Sequence, residues 1–256
     1  MSLNQKITNW NGKVVWISGA STGIGFSLAA QLLQSGATVI LTARQVDNLA
    51  ALCARYPRAQ ALRCDIYEAE QLATTLQKIL VRHQRLDLFI ANAGVYHEMR
   101  ASAFDGEKAR QMLDINVSGT IASVAAVVPQ LIQQGRGGIA VVASVAGYGG
   151  LPNALIYGAS KAALINFSET LYLDLSPHGI NVTLINPGFV ATRLTAQNNF
   201  AMPALLTSEQ AAQKIIAGFA RGDFEIHFPK RFTLWLKLLK LLPYRAYFYL
   251  VKRATR

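Results

Sequence analysis

Tyr157 and Lys161 stand four positions apart in the run Tyr-Gly-Ala-Ser-Lys. In a helix, positions i and i+4 share a face, one turn apart. This spacing would bring a phenol beside an ammonium. A phenol ordinarily titrates near about pH 10, and a neighbouring cation favours its ionised form. Held against a carbonyl, a phenol of lowered pKa is a general acid for reduction and, in reverse, a general base for oxidation. Ser144 lies thirteen residues before Tyr157, across a loop containing Gly147, Gly149 and Gly150. At a strand's carboxyl end, its hydroxyl can hydrogen-bond a substrate carbonyl. Asn116 sits in a long apolar run, where a buried amide needs partners. It can bridge backbone groups, or kink the helix and hold a water. Taken alone, Tyr-x-x-x-Lys is a weak signal, since many helices carry such a pair as a core ring and a solvated amine, so the surrounding elements decide.

Those elements alternate. Residues 13–17 (KVVWI) form a short apolar run with the pattern of a buried parallel strand. Ser18-Gly19-Ala20-Ser21-Thr22-Gly23-Ile24-Gly25 follows, then a helical pattern over 26–34 that Gly36 ends. Further strands are expected at 38–42, 59–64, 86–91, 139–143, 180–186 and 224–228. Helices are expected at 48–56, 68–83, 112–134, 153–176 and 208–220, the last with a capping-box-like start at Thr207 or Ser208. Residues 197–204 read as a candidate lid. This alternation implies a doubly wound α/β fold with a seven-stranded parallel sheet.

In such sheets ligands bind outside the carboxyl ends of the strands. Gly19, Arg44, Asp65 and Asn92 all fall just past expected strand ends. The glycine run allows a tight turn and close backbone approach to a pyrophosphate, and the following helix supplies amides and a positive dipole end. Its spacing is Gly-x-x-x-Gly-x-Gly. After the second strand there is no acid to meet a ribose 2′-hydroxyl, but Arg44 is present, and a guanidinium suits a 2′-phosphate. This favours NADP(H) and leaves NAD(H) possible.

Of the 256 residues, 52% are hydrophobic and 15% charged, enough for a sizeable core. Cys53 and Cys64 have no metal-ligand spacing, and free thiols in a reducing cytoplasm are expected. Residues 1–13 lack the apolar run of a signal peptide. The net charge of +11 is concentrated at the end of the chain: residues 228–256 hold eight Lys or Arg and no acid.

With these motifs in order, the chain resembles a classical short-chain dehydrogenase/reductase from about residue 13 to residue 228. The resemblance rests on Ser18-Gly19-x-x-x-Gly23-Ile24-Gly25, Asp65, Asn92-Ala93-Gly94, Asn116, Ser144, Tyr157-x-x-x-Lys161 and Pro187-Gly188 with Thr192. It departs from the family at Ser18, where threonine is usual, and at Ala91, where asparagine is usual. The resemblance implies a Rossmann fold and a catalytic tetrad of Asn116, Ser144, Tyr157 and Lys161. Tyr157 would move the proton, Ser144 orient the carbonyl, Lys161 lower the tyrosine pKa and bind the nicotinamide ribose, and Asn116 hold a water. Cofactor contacts are expected at Gly19, Ser21, Thr22, Gly23, Ile24, Gly25, Arg44, Asp65, Ile66, Asn92, Ala93, Gly94, Tyr157, Lys161, Pro187, Gly188, Val190 and Thr192. A homodimer or homotetramer is implied. No nucleic acid partner is expected, because the basic residues near the chain's end are interleaved with too much aliphatic surface for a phosphate track.

A single catalytic domain is expected over 1–228, with a basic amphipathic extension over 229–256. In the extension Thr233, Lys237 and Lys240 form one polar stripe on an otherwise apolar helix, interrupted by Pro243. Two lysines, an arginine and a proline argue against a membrane-spanning segment. Three occupants of the apolar face stay open: a membrane interface, the substrate pocket and a subunit contact. A lipid contact would favour a lipophilic carbonyl or alcohol, and a place in the cytoplasm or on the inner face of a membrane. The competing functions are an NAD-dependent alcohol dehydrogenase, an NADP(H) sensor and a membrane-associated scaffold.

Overall fold

The computed structural model describes residues 2–197 and 202–254. Part of the candidate lid at 197–204 therefore lies outside the described residues. Seven parallel strands form one sheet: β1 (Val14–Ser18), β2 (Thr38–Ala43), β3 (Ala59–Arg63), β4 (Leu88–Ala91), β5 (Gly137–Val142), β6 (Ile180–Pro187) and β7 (Glu225–Phe228). Their order across the sheet is β3-β2-β1-β4-β5-β6-β7. The chain winds outward from β1 in one direction, then returns to start again at β4. The carboxyl ends of β1 and β4 flank this change of direction, where a doubly wound sheet opens its ligand crevice.

Helices cover both faces. α1 (Gly23–Gln34), α2 (Ala50–Arg55) and α7 (Ser208–Arg221) pack on one side, with Leu28, Leu32, Leu52, Ile215 and Phe219 joining the inward residues of the strands. α3 (Ala69–His83), α5 (Gly119–Gln134) and α6 (Leu155–Leu175) pack on the other, through Leu72, Ile79, Val124, Val127 and Leu164. Strands buried on both faces explain the apolar runs. The capping box at α7 forms between Thr207 and Gln210, each side chain accepting from the other's backbone N–H.

Several boundaries differ from the sequence expectation, each for a local reason. α1 begins at Gly23, so the last part of the glycine run is already helix. β4 starts at Leu88, because the Leu86 N–H donates to the Gln134 side chain. α6 starts at Leu155, after Asn153 takes a left-handed φ of 64°. The expected helix at 112–134 is instead α4 (Gly106–Leu113), one wide π-type turn at Asp114–Ser118, and α5. Asp105 caps α4 by accepting from the Glu107 and Lys108 N–H groups, a start that the sequence reading passed over.

After β7 come α8 (Lys230–Lys240) and α9 (Tyr244–Ala254). Thr233 and Lys237 of the polar stripe face the protein, while Lys240 is exposed. Thr233 is fully buried and contacts His227, while Lys237 pairs with Glu225 on β7. Glu225 also accepts from Tyr148 Oη at 2.5 Å and from Asn186 Nδ2 at 2.8 Å. These donors and the lysine hold its carboxyl below the ordinary range, although burial opposes this most strongly of all the influences. Lys237→Met is expected to lower the melting temperature by roughly 2–4 °C, the effect of about 1 kcal/mol in a chain of this size. Adding Glu225→Gln should recover part of that loss in the same calorimetric scan, because the stranded charge is gone.

Candidate active site

The crevice is built first from backbone. Gly19 has a φ of 66°, and a Cβ there would lie 2.5 Å from Ala93 Cα, so the turns after β1 and β4 approach as closely as a bare backbone allows. Asn92 locks them together: Nδ2 donates to Gly19 O at 2.8 Å, and its backbone N–H donates to Ser18 Oγ at 3.2 Å. The hydroxyl at Ser18 thus serves where threonine was the family's usual residue. A Cβ on Gly25 would meet that amide at 2.5 Å.

The N-terminus of α1 opens onto the crevice. Thr22 makes no side-chain cap, and no acid lies in the first turn. Amides left without intrahelical partners, at the positive end of the dipole, suit an anion. One continuous cleft runs from Arg44 and Asp65 past Gly19 and Gly23 to Ser144, Tyr157 and Lys161, with Gly188, Val190 and Thr192 on its far side. Ser21, Thr22, Ile24, Ile66, Asn92, Ala93, Gly94 and Pro187 also line it. Of the residues expected from the sequence, Gly25 and Asn116 stand behind the wall. A nicotinamide dinucleotide fits this cleft. The glycine cradle and uncapped helix end suit a pyrophosphate, and Arg44 is exposed at the outer end.

At the inner end, α6 places Tyr157 and Lys161 on one face, with the ammonium 5.7 Å from the phenol ring centre. Ser144 follows β5. Its hydroxyl contacts Pro187 O at 3.5 Å and accepts from the Ala146 N–H at 3.2 Å. The loop beyond it lies directly on α6, since a Cβ on Gly147 would sit 2.7 Å from the Ala162 amide nitrogen. That contact sets the distance between the serine and the tyrosine. Asn116, in the wide turn, is fully buried. Its Oδ1 accepts from the Val95 N–H at 2.8 Å; its Nδ2 donates to Val95 O at 3.0 Å and to Ser160 Oγ at 3.2 Å. Of the two possibilities raised by the sequence, the side chain bridges backbone and the helix widens around it.

The electrostatics correct one expectation. Burial pushes Tyr157 up to about 12, and only its hydrogen bond with Ser144 pulls it back. The lysine does not win: burial pushes Lys161 down to about 8, and its ammonium donates to Val142 O at 3.0 Å. Desolvation disfavours both charged forms, so the resting site holds a protonated phenol.

Three neighbours escaped the sequence reading. Tyr96 packs edge-on against Tyr157, ring centres 5.0 Å apart. Ser160 is buried and donates to Tyr157 O at 2.7 Å. Thr195 ties the far wall by donating to Val190 O at 2.6 Å. An aromatic beside a glycine-rich turn, a serine inside a helix and a threonine in a loop carry no local signal of such contacts.

The Lys161 shift has a stability consequence. Its folded pKa is about 8 against an ordinary 10.5, so between these values the unfolded chain holds more protons and stability rises with pH. Below that window both states are protonated and the full cost of the buried charge remains. Lys161→Met should therefore raise the melting temperature of the cofactor-free protein at about pH 7, with the gain shrinking towards about pH 10. A variant that melts lower at both values would mean that the hydrogen bond to Val142 outweighs desolvation.

Comparison with known proteins agrees with this geometry. The family model for short chain dehydrogenase matches residues 13–202. An uncharacterized oxidoreductase of Myxococcus xanthus is 36% identical over 231 residues, 89% of this chain and 91% of that one. An 11-beta-hydroxysteroid dehydrogenase A of Sesamum indicum is 32% identical over 252 residues, 89% of this chain and 72% of that one. A short chain dehydrogenase of Burkholderia cenocepacia, solved in complex with NADP, superposes with a TM-score of 0.78 at 27% identity, covering 90% of this chain and 94% of that one. With the sheet order, the switch-point cleft and the tyrosine–lysine helix in agreement, the chain belongs to the short-chain dehydrogenase family, oxidoreductases that act on alcohol and carbonyl groups with a nicotinamide cofactor.

Proposed function

We propose that this chain is an NADP(H)-dependent reductase of a lipophilic ketone or aldehyde, with Tyr157 as the proton donor. The observation that carries the reading is the convergence of Tyr157, Ser144 and Lys161 at one end of a cleft whose other end holds Arg44. A nicotinamide cofactor supplies the hydride when bound. The protein supplies position and charge. The Ser144 hydroxyl takes hold of the carbonyl oxygen and sets its lone pair towards Tyr157 Oη. The phenol, protonated at rest, gives its proton to that oxygen as negative charge develops there. Lys161 sits one helical turn away, buried, and its ammonium favours the phenolate that the transfer leaves behind. Asn116 fixes the Gly94–Val95 turn against α6, which keeps Tyr157 and Lys161 in register with the strand ends.

The preference for NADP(H) rests on Arg44 with no acid at the end of β2, a pattern that accommodates a 2′-phosphate. The lipophilic substrate rests on the tail, and fits the hydroxysteroid activity in the name of the Sesamum indicum relative. A cytoplasmic homodimer or homotetramer, peripheral to a membrane, completes the reading.

Two titrations test it. Tyr157→Phe should bind NADPH as the wild type does and lose turnover by about 10²- to 10⁴-fold, the usual worth of a positioned acid. Unchanged turnover would remove Tyr157 from the chemistry. Arg44→Ala should weaken NADPH by roughly tenfold or more, through loss of a charge-assisted hydrogen bond, and leave NADH unchanged. Equal losses for both cofactors would make Arg44 a general structural residue and withdraw the NADP(H) preference.

A further inference from the structure

α8 turns part of its polar stripe inward and part of its apolar surface outward. The polar stripe Thr233–Lys237 is turned into the protein, held by His227 and Glu225. The opposite face of α8 presents Leu234, Trp235, Leu238 and Leu241, which are 50, 55, 58 and 80% exposed. Their spacing places them along one ridge. α9 is pinned by Tyr247 Oη donating to Gly150 O at 2.9 Å and by Val251 in a small cluster with Leu239 and Leu151. Its outer side adds Tyr244, Phe248 and Tyr249, at 69, 50 and 61% exposure. Contiguous apolar surface of this kind marks an interaction site.

Charge identifies the occupant. Arg231, Lys240, Arg245, Lys252 and Arg253 border the ridge, and among the described residues none of them pairs with a carboxylate. No acid follows Glu225 in the chain. A symmetric contact between two copies would bring these cations onto each other with nothing to neutralise them. A leucine ridge with one tryptophan, flanked by tyrosines and basic residues, matches the headgroup zone of a bilayer.

We propose that the outer face of α8 and α9 docks in the interface of an anionic lipid bilayer. Leu234, Trp235, Leu238 and Leu241 enter among the headgroups, and the flanking lysines and arginines meet the lipid phosphates. The Lys237–Glu225 pair sets this orientation, because it commits Thr233 and Lys237 inward and leaves the ridge of Leu234, Trp235, Leu238 and Leu241 outward. The docked face adjoins the substrate end of the cleft: Phe232 stacks near Phe189 with ring centres 5.8 Å apart, and Leu151 of the loop after Ser144 packs on the tail. The inference rests on the lipophilic-substrate reading only for its purpose; its geometry is independent of the hydride chemistry.

The test is co-sedimentation of the full-length protein with phosphatidylcholine vesicles, with and without phosphatidylglycerol. Trp235 serves as a reporter, since the other two tryptophans, Trp10 and Trp16, are 4% and 0% exposed. Vesicles containing phosphatidylglycerol should bind at least about tenfold better than neutral ones, with a blue shift of the Trp235 emission. Leu238→Glu, on the exposed face, should abolish the shift and most of the binding while NADPH titration stays normal. Absence of binding, or binding without a shift and without sensitivity to Leu238→Glu, overturns the proposal. So does a wild-type dimer that Leu238→Glu splits in analytical ultracentrifugation, which would make the ridge a subunit contact. Vesicle binding with no turnover of any carbonyl would remove the redox reading and leave the docking face; turnover without vesicle binding would do the reverse.

Discussion

The cleft depends on one close approach. β1 and β4 are neighbours in the sheet, and the helices that follow them leave on opposite sides. Left to themselves, their end loops would splay. The Asn92 amide on the Gly19 carbonyl, with a glycine where any Cβ would strike Ala93, ties them instead. This single contact aims the end of α1 into the crevice and sets Gly94 under the tyrosine–lysine helix. A Cβ on Gly94 would meet Asn116 Oδ1 at 3.2 Å and Lys161 Nζ at 3.6 Å. Cofactor cradle and proton site are thus joined through backbone turns held by two short, hydrogen-bonded amides, Asn92 and Asn116.

Inside that frame, burial outweighs attraction between neighbours. An ammonium 5.7 Å from a phenol ring would lower the phenol's pKa in a well-solvated site. Here both groups are withdrawn from water, and each is pushed towards its neutral form. The lysine's place is fixed less by the tyrosine than by the Val142 carbonyl at the end of β5. The resting site therefore holds a neutral phenol beside a lysine whose charge burial disfavours. The same desolvation makes the site a cost to the fold, which the two cores on either side of the sheet offset.

Much of this was legible in the residues because much of it is local. Apolar runs ending in Gly19, Asn92 and Ser144 identify strands and their carboxyl ends, and the four-residue spacing of Tyr157 and Lys161 identifies a helical face. What escaped is non-local. Ser160 reads as a helix residue between two chemical ones, yet it bridges Asn116 from another element. Tyr96 reads as a loop aromatic, yet it is a wall against Tyr157. The wide turn at Asp114–Ser118 was half-visible: a buried asparagine in an apolar run demands accommodation, but only the Val95 backbone, twenty-one residues away, explains its form. The pKa expectation failed for a related reason, since sequence spacing gives a neighbour's charge but not the depth at which both groups are held.

The tail is the sharpest case of this distinction. Periodicity reveals a polar stripe and an apolar face, and the ordinary inference turns the apolar face inward. Periodicity carries no sign, however. Direction is decided by what the protein offers beneath the helix, and here that is Glu225 with its Tyr148 and Asn186 donors, together with His227. A carboxylate largely enclosed by protein demands a cation more strongly than a sheet edge demands another leucine, because an unpaired buried charge costs more than an exposed apolar side chain. Lys237 answers that demand and Thr233 follows it, so Leu234, Trp235 and Leu238 are left outside, while Leu239 packs beneath. The polarity of the tail is thus a consequence of the polarity of β7, and the surface that α8 and α9 expose is set by an ion pair beneath them.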